Sequence, residues 1–139
     1  MVWKNKHGIL QQEKNMEIAD ANIILRYLLE DDETLSKKAG EIIDKINIHL
    51  PFEVCAEVVY FLEKVYVVPR ENIRNALALL IGYQNISTND KSVFISALEI
   101  YHTKNIDFVD ALLVAYNQVT GAIVHSFDKK VNKLCKGFR

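Results

Sequence analysis

The chain has 139 residues, half of them hydrophobic, which suits one globular domain with a substantial core. Its formal net charge of −1 argues against a protein that coats nucleic acid irrespective of sequence, because such binding needs a large positive charge. No apolar run approaches the roughly 20 residues of a membrane span, and the N-terminal segment lacks the apolar centre of a signal peptide. We therefore expect a cytoplasmic protein without a membrane segment.

Short apolar runs alternate with helical patterns along most of the chain. Residues 1–15 are polar and without pattern, and we expect a disordered leader there. Four strands are predicted, at 16–19, 48–51, 85–88 and 122–126. Helices are predicted at 21–29, 34–46 with Thr34 as its cap, 52–67, 69–81, 90–101 with Asp90 as its cap, 107–120 and 128–135.

This alternation is typical of a parallel sheet covered by helices. We expect a single three-layer α/β/α domain over residues 16–139, with a short parallel sheet and about seven helices. In such folds, ligands bind at the carboxyl ends of the strands. Asp20 directly follows the first predicted strand, and Asp128 follows the last one by two residues. Both side chains are therefore expected at the functional edge of the sheet.

Four acidic residues, Asp20, Glu57, Asp110 and Asp128, lie at the ends of predicted elements or within an apolar helical stretch. A carboxylate among the apolar neighbours of Glu57 needs either a partner or a water-filled cleft. So much negative charge on inward surfaces calls for a cation, and Mg²⁺ or Mn²⁺ prefers oxygen ligands. The pattern indicates metal-assisted phosphoryl chemistry, with a nuclease as the leading interpretation.

Structural roles compete with this interpretation. Asp20 and Asp128 could cap the helices that follow them. Glu57 could belong to an exposed stripe that also contains Glu53 and Lys64.

Asp107 and Asp110 have the spacing of a capping box, in which Asp107 would cap the helix and Asp110 would lie in its first turn. The motif explains Asp107 better than Asp110, because the residue three positions after the cap is usually Glu or Gln rather than Asp. We therefore take Asp110 as a candidate metal ligand and Asp107 as a cap or as a partner of a ligand. Asn22 could orient a ligand or a bound water, and Ser126 could bind a carboxylate or a substrate phosphate.

Basic residues follow Asp128 without any intervening acid. A solvated helix face would account for the run, but its position after a candidate ligand favours phosphate contacts by Lys129, Lys130 and Lys133. Arg26 is a further candidate, although an ion pair with Glu30, four residues later, is an equal alternative.

At these residues the chain resembles the PIN-domain ribonucleases and, within them, the VapC-like toxins of toxin–antitoxin pairs. The order and spacing of four motifs match the family over residues 16–139. The motifs are Ile18-Ala-Asp20-Ala-Asn22, Ala56-Glu57-Val-Val-Tyr, Asp107-Phe-Val-Asp110-Ala and Ser126-Phe-Asp128-Lys-Lys.

The resemblance implies a metal-dependent endoribonuclease in which Asp20, Glu57, Asp110 and Asp128 surround one or two Mg²⁺ or Mn²⁺ ions. It also implies an RNA substrate and an antitoxin partner. The apolar residues on helices 52–67 and 69–81 exceed what a small core readily covers, which suggests a homodimer face or an antitoxin groove; simple burial is the alternative explanation.

The chain departs from the family at two places. Ala21 stands where family members usually have Thr, and the further strand that many members have after the last helix is missing unless residues around Phe138 supply a stub. Two other classes of protein remain as alternatives. One is a non-catalytic PIN-like module that binds RNA or protein. The other is a phosphoacceptor domain, which would need a phosphorylatable Asp after a middle strand; the strand at 48–51 ends without one.

Overall fold

A computed structural model describes residues 2–4, 10–12 and 15–137. The proposed stub around Phe138 lies outside these residues. Within the segment expected to be a leader, strand β1 (Val2–Lys4) pairs antiparallel with strand β2 (Leu10–Gln12). The sequence pattern predicts no strand at either place.

Seven helices and a two-stranded parallel sheet make up the rest of the described chain. The strands are β3 (Ile48–His49) and β4 (Ile86–Ser87), and Ile18 adds a parallel bridge to His49. The helices are α1 (Ala21–Leu29), α2 (Glu33–Lys45), α3 (Phe52–Tyr60), α4 (Arg70–Ile81), α5 (Lys91–Lys104), α6 (Phe108–Thr120) and α7 (Lys129–Leu134). These elements confirm the predicted combination of a short parallel sheet with about seven helices.

Aspartate side chains start four of the helices. In Asp20, Asp32, Asp90 and Asp128, the Oδ1 atom accepts the backbone N–H of the third following residue at 3.0 Å. Each bond satisfies an amide that has no partner within its helix. The prediction that Thr34 caps α2 is wrong, because Asp32 accepts the Leu35 amide and the helix begins at Glu33, one residue before Thr34.

The predicted long helix from Phe52 changes its hydrogen bonding at Phe61. Residues Phe61–Val65 form one π-helical turn, in which the Tyr66 amide donates to the Phe61 carbonyl at 3.0 Å. Val67 follows with a φ of 55°, a left-handed conformation that β-branched residues rarely adopt. The π turn and Val67 together end the helix and redirect the chain towards α4.

The sheet is smaller than predicted. Residues 16–19 contribute only the bridge at Ile18, and residues 122–126 form no strand in the described part of the chain. Apolar residues favour a strand only where a neighbouring strand supplies hydrogen bonds, and this requirement is invisible in a local pattern.

A buried asparagine holds the C-terminal segment against α6 instead. The Asn117 amide donates to the carbonyls of Ala122 at 2.9 Å and Lys136 at 2.8 Å, and its oxygen accepts the Lys136 amide at 2.7 Å. Asn117 is buried, so these bonds are shielded from water. They fix both ends of the segment that carries Asp128.

Helices α1, α3, α4, α5 and α6 all contribute to one continuous apolar core. Its largest fully buried side chains are those of Tyr101 and Phe94. The Phe108 ring packs edge-on against both of them, at centroid distances of 5.9 and 5.8 Å. Phe108 is the first residue of α6, so this packing positions the start of the helix that carries Asp110.

Replacing glycine by alanine should change the free energy of unfolding in opposite directions at two positions of the chain. Gly121 ends α6 with a φ of 78°, so Gly121→Ala should lower the free energy of unfolding by about 1 kcal/mol, although a Cβ there would contact nothing within 4 Å. Gly40 lies inside α2, where a Cβ would be 3.9 Å from the nearest atom. Gly40→Ala should therefore raise the free energy of unfolding by about 0.5–1 kcal/mol. Urea titrations of both variants measure the difference; equal effects would contradict the backbone explanation.

Candidate metal centre

Asp20 and Glu57 lie in one cleft of about 360 Å³ between α1 and the end of α3. Asn22 and Arg26 line the same cleft. Oδ1 of Asp20 caps α1, but a carboxylate has two oxygens and several lone pairs, so capping leaves capacity for a further ligand. The capping role and the site role of Asp20 are therefore compatible.

Glu57 is exposed to this cleft, although its sequence neighbours are apolar. Cys55, Val58 and Val59 face the core, and Glu57 lies on the opposite side of the helix. Of the two environments that the sequence allowed, a partner or an open cleft, the structure shows the cleft. The alternative of an exposed stripe is also compatible with the structure, since Glu53, Glu57 and Lys64 are all exposed, although Lys64 pairs with Glu63 at 3.0 Å.

Asp110 is half-buried in a second cleft of about 310 Å³, which Asp107 also lines. Burial raises the pKa of Asp110 above its ordinary value, and the negative charges of Asp128 and Asp107 raise it further. The fold thus brings Asp128 close enough to Asp110 for their charges to repel each other. A bound cation would relieve this repulsion.

The two clefts flank the same helix, because Ala56 of α3 lines the second and Glu57 the first, and they share no lining residue. The predicted ligands therefore lie in two pairs: Asp20 with Glu57 in the first cleft, and Asp110 in the second cleft with Asp128 near enough to repel its charge. Among the residues that the structure describes, no three acidic, histidine or cysteine side chains lie close enough to bind one metal ion. The chemistry of the donors still suits Mg²⁺ or Mn²⁺, since all four are carboxylates.

The residues predicted to support these ligands occupy several environments. Asp107 stands at the N-cap position of α6, but its side chain makes no capping bond, so the capping-box interpretation is wrong. Its carboxylate faces the same cleft as Asp110 instead. Ser126 Oγ accepts the backbone N–H of Asp128 at 2.9 Å and so orients the turn that carries this residue.

Sequence analysis missed Glu63, which also lines the second cleft. Its carboxylate accepts the Tyr101 hydroxyl and forms ion pairs with Lys64 at 3.0 Å and Arg70 at 3.4 Å. Burial acts to raise the pKa of Glu63, but these partners outweigh it and leave the pKa below its ordinary value. The sequence showed only a Glu-Lys pair typical of a helix surface, so nothing local indicated this network.

Two neighbouring side chains bind the Arg26 guanidinium at the protein surface. Its guanidinium binds Asp31 at 2.7 Å and the Tyr66 hydroxyl at 2.8 Å, so the alternative pairing with Glu30 is wrong. Asp31 lies just past the end of α1, where the left-handed residue Glu30 turns the chain back towards Arg26. These contacts leave less of Arg26 available to RNA than the sequence suggested.

The lysines that follow Asp128 have a different environment. Lys129, Lys130 and Lys133 are all exposed on α7. Within residues 15–137, they form no ion pair. Their charges are therefore open to an approaching anion.

No helix in the described ranges combines the length and apolar composition needed to cross a bilayer.

Comparisons with known proteins bear on both fold and chemistry. No curated protein matches the chain at a significant level. The family model of the PIN domain matches residues 18–137, and this match together with the observed elements confirms the predicted α/β/α PIN-like fold. The chain therefore belongs to the PIN-domain family, whose members are typically metal-dependent nucleases.

Proposed function

We propose that this protein is a metal-dependent endoribonuclease and the toxin of a toxin–antitoxin pair, similar to the VapC-like toxins. Its ligands for Mg²⁺ or Mn²⁺ would be Asp20, Glu57, Asp110 and Asp128. The main support is that Asp20 and Glu57 line one cleft beside α3 and Asp110 lines another, with Asp128 near enough to raise the pKa of Asp110, in a chain of the PIN-domain family. The catalytic unit would comprise residues 16–139, in the cytoplasm.

A bound Mg²⁺ or Mn²⁺ would supply an activated water and offset charge on the phosphoryl oxygens. The two pairs of carboxylates would hold one or two such ions. A carboxylate beside the ion would also take the proton of that water. Asn22 would help to orient the reacting groups from the first cleft.

Binding of the RNA backbone would depend on the exposed lysines of α7. Lys129, Lys130 and Lys133 lie in the segment that begins directly after Asp128, so they would contact phosphates close to the scissile bond. Arg26 would contribute only if RNA displaced its bond with Asp31.

An antitoxin and a second copy of the chain are the proposed protein partners. Most of the apolar surplus on α3 and α4 is buried, including Val58, Leu77 and Leu80, which supports the simpler explanation for those residues. Leu79 remains 68% exposed and Val65 remains 56% exposed. These two side chains are the best candidates from that surplus for a contact with a partner.

The proposed nuclease activity can be tested with a mixed pool of structured and single-stranded RNA. We expect cleavage with Mn²⁺, none in EDTA, and recovery when excess Mn²⁺ is added back. The ion supplies the activated water, so its removal should reduce the rate to background. Sequencing of the product ends would then identify the target. Equal degradation in EDTA would point to a contaminating metal-independent nuclease and contradict the proposal.

A non-catalytic module that binds RNA or protein is the second candidate. It is favoured by the separation of the acids into two pairs, because no three of them lie together around one ion site in the described residues. Tight RNA binding without cleavage in any divalent metal would support this candidate.

A further inference from the structure

Phe127 is the most exposed large apolar side chain in the described part of the protein, at 106% of its reference accessibility. It lies between Ser126 and Asp128, within the fourth motif. Isolated exposed apolar residues are common on protein surfaces. A fully exposed phenylalanine next to a candidate metal ligand in the chain is less ordinary, because the ring contributes nothing to the core.

The turn that presents Phe127 is fixed by hydrogen bonds on both sides. The Asp128 amide donates to Ser126 Oγ at 2.9 Å, and the Asn132 side chain donates to the Ser126 carbonyl at 2.8 Å. The Val131 amide binds the Asp128 carboxylate at 3.0 Å. The ring is therefore held on an ordered turn, which lowers the entropic cost of binding a ligand there.

A second exposed aromatic residue, Tyr60, lines the cleft that contains Asp107 and Asp110. Tyr60 is 59% exposed, and its ring packs edge-on against that of Phe61 at a centroid distance of 5.8 Å. Phe61 in turn packs against the core, so the position of the Tyr60 ring is also constrained. One aromatic ring thus adjoins each acid of the Asp110–Asp128 pair.

Lysine side chains lie near both Phe127 and Tyr60. Lys129 and Lys130 are exposed next to Phe127 in the chain. Lys64 lines the Tyr60 cleft and keeps 56% of its side chain exposed, even though it pairs with Glu63. Aromatic rings interleaved with cations are the chemistry that binds single-stranded nucleic acid, because bases stack on the rings while phosphates contact the charges.

We propose that Tyr60, in the cleft of Asp110, and Phe127, next to Asp128 in the chain, are base-stacking residues that select single-stranded RNA. The proposal deepens the proposed nuclease function and partly rests on it. Bases in a duplex are already stacked on each other, so they offer no free face to either ring. The two side chains would therefore favour unpaired nucleotides at the site of cleavage.

Binding can be measured separately from cleavage by fluorescence anisotropy. The probe is a labelled single-stranded RNA with phosphorothioate linkages in the presence of Mg²⁺, a hard cation that binds sulfur poorly and so supports little hydrolysis of these linkages. We expect Phe127→Ala and Tyr60→Ala each to weaken binding by roughly 5- to 100-fold, the range that base–aromatic stacking supports. Tyr60→Phe keeps the ring and should bind like the wild type. Ile95→Ala, which removes an exposed aliphatic side chain from α5, is the matched control and should bind like the wild type.

The outcomes separate this proposal from the nuclease function. Cleavage with unchanged binding by both alanine variants would overturn the stacking proposal and leave the nuclease intact. Weakened binding in a protein that cleaves nothing would uphold the stacking proposal and favour the non-catalytic module. Equal losses of affinity for a duplex of the same length would also overturn it. So would variants that change only the sedimentation of the protein, since the rings would then belong to a protein interface.

Discussion

Replacing Asp110 by Asn should reduce RNA cleavage by more than about 100-fold, because even residues that merely orient metal ligands commonly contribute 10- to 100-fold. The substitution removes a charge with almost no change in volume. Single-turnover cleavage in saturating Mn²⁺ measures the effect. Glu41→Gln is the matched control, since it removes an exposed carboxylate from α2 and should cleave like the wild type.

The stability of the Asp110→Asn variant provides an independent measurement. Burial and the charges of Asp128 and Asp107 raise the pKa of Asp110, so the ionised side chain destabilises the metal-free fold at neutral pH. The variant should therefore be at least as stable as the wild type without metal. Mn²⁺ should raise the melting temperature of the wild type but not that of the variant. A variant that cleaves RNA normally would show that Asp110 is not a ligand.

The second large effect is expected at Arg70, which joins three parts of the fold. Its guanidinium donates to the carbonyls of Tyr101 at 2.8 Å and Ile106 at 2.6 Å, and it stacks 4.1 Å above the Tyr101 ring. It also forms an ion pair with Glu63 in the π turn. Arg70→Met should lower the free energy of unfolding by about 3 kcal/mol, because it leaves a partly buried carboxylate and two carbonyls without their partner.

Arg74 offers a matched control on the same helix. Its guanidinium binds Glu99 through two hydrogen bonds of 2.7 and 2.9 Å, but this pair lies at the surface and is screened by water. Arg74→Met should therefore destabilise the protein far less than Arg70→Met does. Similar denaturation midpoints for the two variants would show that the network around Glu63 is not a special source of stability.

Local rules predicted the helices well where capping and apolar spacing agree. The bounds of α1 were correctly predicted, and the predicted caps Asp20, Asp90 and Asp128 make their bonds. The same rules placed the cap of α2 at Thr34, because they do not rank adjacent polar residues. Properties that depend on the immediate neighbours of a residue were therefore the easiest to predict.

Features that depend on distant contacts were not predictable from the sequence. The segment 122–126 has strand-forming residues, but the structure fixes it through Asn117 rather than through a sheet. Glu57 was expected near Asp20 through the family resemblance rather than through any local pattern, and the fold places both in one cleft. Glu63 depends on Arg70 and Tyr101, which lie seven and 38 residues away in the chain.

The π-helical turn at Phe61–Val65 makes this segment intolerant of insertions and deletions. Each residue of an α-helix rotates the chain by about 100°, and the π turn accommodates one residue more than an α-helical turn would. Deleting one residue would let α3 continue in its own register and rotate Tyr66 away from Arg26, breaking a bond of 2.8 Å between α1 and the end of the turn. The number of residues between Glu57 and Arg70 should therefore stay constant in evolution.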